Sequence, residues 1–254
     1  MGNTLSVAII AKNEEANLPR TLASVRWADE VIVVDSGSTD GTVAIARKFG
    51  AKVVCETWHG FGRQKNLAIQ NCSSEWVLSL DADEEVNEEL AKEIRALLES
   101  STDVNAYFLR RRNLFLGRWI KHGGYYPDPK LRLFRKEAAW FEERAVHETM
   151  RYSGATRILN NDLIHHAYPT LESYIEHMNR YSSLGAEQAV AKGKTSRSWP
   201  AFLWNVLLNP AATFFYNYGF RLGFLDGREG LLLHLYHSGY VSWKYAKAWK
   251  SSEF

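Results

Sequence analysis

The rhythm of apolar and polar positions changes along this chain, and the changes divide it. Leu5–Ala11 and residues 30–34 are aliphatic runs with little alternation, as expected of strands covered on both faces. Lys52–Cys55 and residues 76–80 repeat that pattern. Residues 14–25, 42–49, 62–72 and 87–99 carry helical spacing instead. Asn13 is placed to cap the first of these, Pro19 blemishes it, and Gly50 stops the second. Repeated strand–helix units predict an α/β fold with a parallel, doubly wound sheet. Ligands of such sheets bind beyond the carboxyl ends of the strands. Three of the predicted strands end in polar residues: the first in Lys12, Asn13 and Glu14, the second in Asp35, the fourth in Asp81 and Asp83.

After about residue 104 the pattern loosens. Residues 107–115, 130–134 and 156–164 read as strands and Leu171–Ala191 as a long helix. A polar run at 192–198 then leads into an aromatic region, since residues 199–249 hold 14 of the 33 aromatic side chains. The expected organisation is an α/β domain over 1–195, with halves at about 1–106 and 107–195, and a helical appendage over 196–254.

Composition fits this plan. At 254 residues, 46% hydrophobic and 24% charged, the chain is globular and long enough for one large domain with an appendage. The net charge of +2 hides an imbalance: residues 1–106 hold ten basic and 17 acidic residues, the remainder 21 and 12. The later part is therefore the better match for phosphates or an anionic membrane surface; no nucleic-acid partner is expected. Cys55 and Cys72 form no ligand pattern and read as buried free thiols. No basic segment precedes a long apolar core at the N-terminus, so no signal peptide is expected.

The chemistry concentrates in Asp81-Ala82-Asp83-Glu84. Two carboxylates one residue apart at a strand end suit Mg²⁺ or Mn²⁺, hard cations that bridge diphosphate oxygens. Glu84 is read only as the start of the following helix. Asp35 precedes the turn Ser36–Gly41, where a carboxylate can accept from a base imide N–H or a ribose hydroxyl. Asp40 reads as a helix cap. Neither early turn is GxGxxG, which speaks against a dinucleotide site.

In combination, VAIIAKNEE (7–15), VVDSGSTDGT (33–42), GFGRQKNLA (60–68), DADE (81–84), KLRLFR (130–135), VHE (146–148) and IH (164–165) resemble the inverting family 2 glycosyltransferases of GT-A fold. The similarity is closest to the bacterial lipopolysaccharide core glucosyltransferase group. The resemblance implies that Asp35 and the Lys12–Asn13–Glu14 turn hold base and ribose, and that Arg63 or Lys65 lies near base or diphosphate. It implies that Asp81 contacts ribose or metal, that Asp83 ligates a divalent cation, and that His165, with His166 as rival, joins the metal. The expected donor is a nucleotide sugar such as UDP-glucose, the acceptor a glycolipid, and the location the inner face of the bacterial inner membrane.

Inversion needs a general base for the acceptor hydroxyl. Glu148 is the choice, with Glu143, Glu142 and His147 as alternatives. Arg132 and Arg135 are read as sharing one face of a strand and clamping phosphate. Arg110, Arg111 and Arg112 read as a partly solvated edge.

Residues 198–220 carry no charge. Asn205, Asn209, Thr213 and Asn217 recur every four residues as a polar stripe, and Pro210 would kink the helix. Trp199, Trp204, Tyr216 and Tyr218 suit a membrane interface, and Arg197 and Arg221 bracket the segment. An amphipathic helix lying in the membrane surface is expected, with residues 230–250 as a second. The rival readings are a polyprenyl-phosphate sugar synthase, a nucleotidyltransferase and a non-catalytic membrane adaptor.

Overall fold

The computed structural model describes residues 3–142 and 149–251. Two compact units emerge: Met1–Arg111 with Asp128–His165, and Arg112–Pro127 with His166–Phe254. The long helix over Leu171–Ala191 belongs to the second unit with everything that follows it, so the division precedes the polar linker at 192–198.

The first unit is built on β1 (Leu5–Ala11), β2 (Glu30–Asp35), β3 (Lys52–Cys55) and β4 (Trp76–Asp81), all parallel, with β1 between β2 and β4. Between them run α1 (Leu18–Ser24), α2 (Thr42–Lys48) and α3 (Phe61–Gln70). Short β5 (Glu84–Val86) leads into α4 (Glu88–Glu99), whose Asn87 side chain caps it by accepting the Leu90 N–H. The strands that follow are antiparallel additions: β6 (Val104–Phe115), β7 (Arg118–Trp119), β8 (Pro129–Arg135), β9 (Ala139–Phe141), β10 (Met150–Tyr152) and β11 (Ala155–Tyr168). The main sheet has the order β3-β2-β1-β4-β8-β6-β11-β5, while β9 and β10 form a separate hairpin. The α/β architecture with a helical C-terminal part is as the sequence predicts.

Strand alternation divides the core between the sheet's two faces. Val7 and Ile9 of β1 pack with Leu18, Leu22, Leu90 and Ile94 of α1 and α4. Ala8 packs with Ile32, Val34, Ala68 and Ile69 beside α3. Helix α1 begins at Leu18, four residues later than expected. Pro19 stands in its first turn, where a missing N–H costs nothing, and residues 14–17 close a turn through the Leu18 N–H to Glu14 carbonyl bond. That keeps Lys12–Glu14 at the sheet edge. Of the two thiols only Cys72 is buried; Cys55 is exposed because β3 is the edge strand.

In the second unit α5 (Leu171–Ala191) packs along α8 (Gly227–Ser251), with Phe115, Ile120, Tyr174 and Leu233 at one centre. Between these helices run α6 (Trp199–Leu203), a π-helical turn over Trp204–Leu208, α7 (Asn209–Phe214) and a second π-helical turn over Phe215–Phe220. Asp226 ties a loop of this unit to its helices, accepting the Lys121 and His122 N–H groups at 3.2 and 2.8 Å.

Candidate active site

The pairings Ile10 with Asp81 and Ala11 with Asp35 bring the ends of β1, β2 and β4 level. The loops after β1 and β2 are laced together. The Asn13 N–H donates to Ser38 Oγ (2.8 Å), the Thr39 N–H to Asn13 Oδ1 (2.8 Å) and the Glu14 N–H to Thr42 Oγ1 (2.8 Å). Asn13 has φ of 56°, a left-handed conformation that asparagine tolerates better than most side chains. Asp40 accepts from the Thr42 N–H at 3.0 Å and the Glu15 N–H at 3.2 Å, so it braces the start of α2 from one residue before the cap.

Asp35 is buried. Its Oδ2 accepts the Gly37 and Ser38 N–H groups, both at 3.0 Å. Its Oδ1 is buried without a partner among the described residues, as is Gln64 Oε1, while the Gln64 amide nitrogen donates to Ser36 Oγ and the Thr57 carbonyl. Buried acceptors left in this state await a donor.

Asp81 lies between two buried cations: Lys65 Nζ is 2.8 Å from Oδ1 and the Arg132 guanidinium 2.5 Å from Oδ2. Burial opposes its charge, but Arg132 and Lys65 outweigh burial and hold its carboxyl well below the usual range. The ion chain continues inward. Arg132 meets Glu84 Oε1 at 2.7 Å, Arg111 meets the same oxygen at 3.3 Å, and Arg111 bonds Asp128 at 2.5 and 2.9 Å. Burial resists ionisation of Asp128 too, yet Arg111 and then Lys130 bring its carboxyl down to about 2. Glu84 Oε2 also accepts the Asp81 N–H at 3.0 Å.

Two expectations are corrected here. Glu84 does not open a helix; it starts strand β5, is wholly buried, and joins two arginines. Arg111 is no solvated edge. It shares strand parity with the fully buried Leu109, which turns its side chain inward, and that parity was the available signal. Arg110, one residue away, pairs with Asp162 at 3.0 Å.

Asp83 sits in the turn between β4 and β5. β11 pairs with β5, placing His165 opposite Glu84, and His165 Nε2 comes 3.4 Å from Asp83 Oδ2. Glu14 lies close by: burial first, then the neighbouring charges of Asp83, Asp40 and Asp81, push its carboxyl up. Among the described residues no three His, Cys, Asp or Glu side chains form a ready cage for a metal. A carboxylate and an imidazole nevertheless fit a cation that takes its remaining ligands from water and substrate phosphates.

The other expected residues are spread more widely. Lys12 and Arg63 are exposed. Arg135 is not brought to this edge. It packs over the Trp76 ring at the opposite end of β4, pairs with Glu75 and donates to the Thr102 carbonyl. A spacing of three residues puts Arg132 and Arg135 on opposite strand faces. Glu142 is bonded to Arg151 at 2.7 Å. Glu143, His147 and Glu148 lie outside the described residues. Phe141 is described: its backbone N–H donates to Asn66 Oδ1 and its ring lies 5.2 Å from Lys65 Nζ.

A parallel sheet whose carboxyl edge gathers Asp35, Asp81 and Asp83, extended by antiparallel strands, defines the GT-A type of glycosyltransferase. The chain belongs to glycosyl transferase family 2, whose sequence profile matches residues 6–152. A Rickettsia typhi protein named as a glycosyltransferase is 36% identical over 203 residues, covering 75% of this chain and 69% of its own. The lipopolysaccharide core biosynthesis glycosyltransferase LpsC of Rhizobium meliloti is 32% identical, covering 76% of this chain and 74% of its own. Among solved structures, the mannosyltransferase PcManGT of Pyrobaculum calidifontis, in complex with GDP-mannose and Mn²⁺, shares the fold. Its TM-score is 0.55 at 18% identity, over 98% of this chain and 87% of that one.

Proposed function

We propose that this glycosyltransferase moves a hexose, with inversion, from a nucleotide diphosphate sugar such as UDP-glucose to a hydroxyl of a lipid-linked glycan of the lipopolysaccharide core type. It would work at the inner face of the bacterial inner membrane. The observation that carries this reading is the shared edge on which Asp35 keeps an unpartnered buried oxygen while Asp83 and His165 form a donor pair. The likeness to LpsC favours the lipopolysaccharide assignment.

In this reading Asp35 Oδ1 accepts the base imide N–H, and the Lys12–Asn13–Glu14 turn borders the ribose. Asp81 holds Lys65 and Arg132 in place where the diphosphate's negative charge grows. Lys12 and Arg63 are exposed cations for the same nucleotide. Asp83 and His165 are the residues that would hold Mg²⁺ or Mn²⁺, with Asp81 behind them. When bound, such a cation neutralises the leaving diphosphate. Glu148 takes the acceptor hydroxyl's proton as the oxygen attacks the anomeric carbon opposite the nucleotide. Glu142 is the weaker alternative because Arg151 holds it; Glu143 and His147 remain the others.

Asp83→Ala is expected to remove Mn²⁺-dependent UDP release by a factor of roughly 10² or more, with an unchanged circular dichroism spectrum. Turnover surviving in a folded variant overturns the metal-site assignment. Running the wild type over a panel of nucleotide sugars identifies the donor.

A further inference from the structure

The segment over residues 199–220 is built inside out. Its polar stripe, Asn205, Asn209, Thr213 and Asn217, is half-buried against the protein, while Trp204, Leu208, Phe215, Tyr216 and Phe220 face solvent. Phe220 is 84% exposed and Trp199 75%. The inward polar groups have partners: Asn205 donates to Ser196 Oγ at 3.0 Å, and Ser242 of α8 donates to the Val206 carbonyl at 2.8 Å. A folded monomer gains nothing from facing amides inward and aromatics outward. Exposed apolar stripes of this size mark interaction surfaces.

The backbone is adapted to keep that stripe straight. The apolar positions repeat every four residues, whereas an α-helix turns once in 3.6. In a regular helix the stripe would drift by about 40° per repeat and wrap round to the protein side within four repeats. Here α-helical turns alternate with two π-helical turns, Trp204–Leu208 and Phe215–Phe220. A π turn closes after about 4.4 residues, so the alternation averages four and holds the apolar row on one face.

Charge indicates what covers it. No acidic residue occurs between Glu187 and Asp226, while Lys192, Lys194 and Arg197 precede the stripe and Arg221 ends it. Beside the first π turn lies a cavity of about 610 Å³ lined by Lys194, Ser196, Arg197, Ser198, Asn205 and Tyr245. Cations, hydroxyls and an amide around one cavity are the chemistry of a phosphate site. Trp204 lines this cavity and also belongs to the exposed row. Among the described residues no helix is long and apolar enough to cross a membrane.

We propose that this unit docks on the surface of an anionic bilayer, with the period-four row sunk into the headgroup boundary and the Lys194–Arg197 cavity receiving a lipid phosphate. This deepens the reading of a lipid-linked acceptor and rests on it for its purpose; the face itself stands on its own geometry.

The test is flotation of the full chain with phosphatidylcholine vesicles, with and without phosphatidylglycerol, alongside UDP release in vesicle-free solution. The wild type is expected to float with the anionic vesicles. Leu208→Glu with Phe215→Glu is expected to reduce the floated fraction at least tenfold, and Lys194→Glu with Arg197→Glu to remove the preference for anionic lipid. Both pairs should leave soluble UDP release unchanged. A wild type that stays at the bottom, or an L208E/F215E variant that floats equally well, overturns the proposal. So does a dimer in sedimentation that L208E/F215E dissociates without any vesicle binding, which would assign the face to a second copy. Loss of UDP release in a wild type that floats would sink the transferase reading and leave the docking face standing.

Discussion

The two units break the usual partition of polar and apolar groups in opposite directions. The first buries charge: Lys65, Asp81, Arg132, Glu84, Arg111 and Asp128 form a chain of alternating sign, and Glu84 and Arg132 are almost without solvent. The second exposes hydrocarbon and turns amides inward. A buried ionic chain is tolerable only when each member is paired, and here the pairing is supplied by the protein itself. An apolar face in water has no internal remedy, so what completes it must come from outside the chain. The first arrangement thus prepares a rigid electrostatic floor for a ligand, while the second prepares a surface.

The largest effect is expected where the ionic chain is cut. Arg132→Leu leaves Glu84 with Arg111 and Asp81 with Lys65, each with one cation fewer. Removing one partner of a buried pair costs roughly 3–5 kcal/mol. Urea unfolding should show a loss of that size, and UDP release should fall with it. A loss under about 1 kcal/mol would mean that the chain is solvated in solution, and the contrast between the units would weaken.

Acid should separate the two units. In the second, His234 is buried, and neither ring nitrogen has a hydrogen-bond partner among the described residues. Burial, then His237, lower its pKa to about 4 against a small opposing effect of Asp226. A histidine depressed from 6.5 stays neutral in the fold while the unfolded chain takes up a proton. Its contribution is complete above pH ~6.5 and lost as pH falls toward 4, about 3 kcal/mol in all. In the first unit, Asp128 at about 2 contributes stability that is complete above pH ~4 and lost as pH falls through 2, about 2 kcal/mol. The C-terminal unit, rich in tryptophan, should therefore loosen at a higher pH than the sheet unit. Fluorescence and near-ultraviolet circular dichroism across pH 7 to 2 should show two transitions, and His234→Leu should delay the first. A single transition below pH 4 would contradict this order.

How much of this was legible in the sequence depended on which physical rule governed each residue. The parallel strands and α4 were readable because continuous aliphatic runs and 3.6-residue spacing have few other solutions. Leu171–Ala191 was found at its observed limits. The convergence of Asp35, Asp81 and Asp83 followed from strand ends alone. Glu84 was misread because an acid ahead of an amphipathic stretch looks like a helix start, and only pairing with β11 shows it to be a strand residue. The stripe of Asn205, Asn209, Thr213 and Asn217 was visible, but periodicity says which residues share a face and not which face is inside. The separation of donor site from base is unread for a different reason, since Glu148 lies outside the described residues.

The smallest expected effect tests a distinction within one strand. Arg132 and Arg135 are three residues apart in β8, yet one enters the ionic chain and the other covers Trp76. Arg135 is partly exposed, and its contacts are a cation–π stack, a pair with Glu75 and a bond to the Thr102 carbonyl. Such contacts at an accessible site amount to about 1 kcal/mol together. Arg135→Met keeps the aliphatic cover on Trp76 and removes the charge together with the bond to the Thr102 carbonyl. The expected outcome is a loss of no more than about 1 kcal/mol in urea unfolding, with unchanged KM for the donor and unchanged kcat. A raised donor KM in a stably folded R135M protein would place Arg135 back among the phosphate ligands, and the opposite-face assignment of these two arginines would fall.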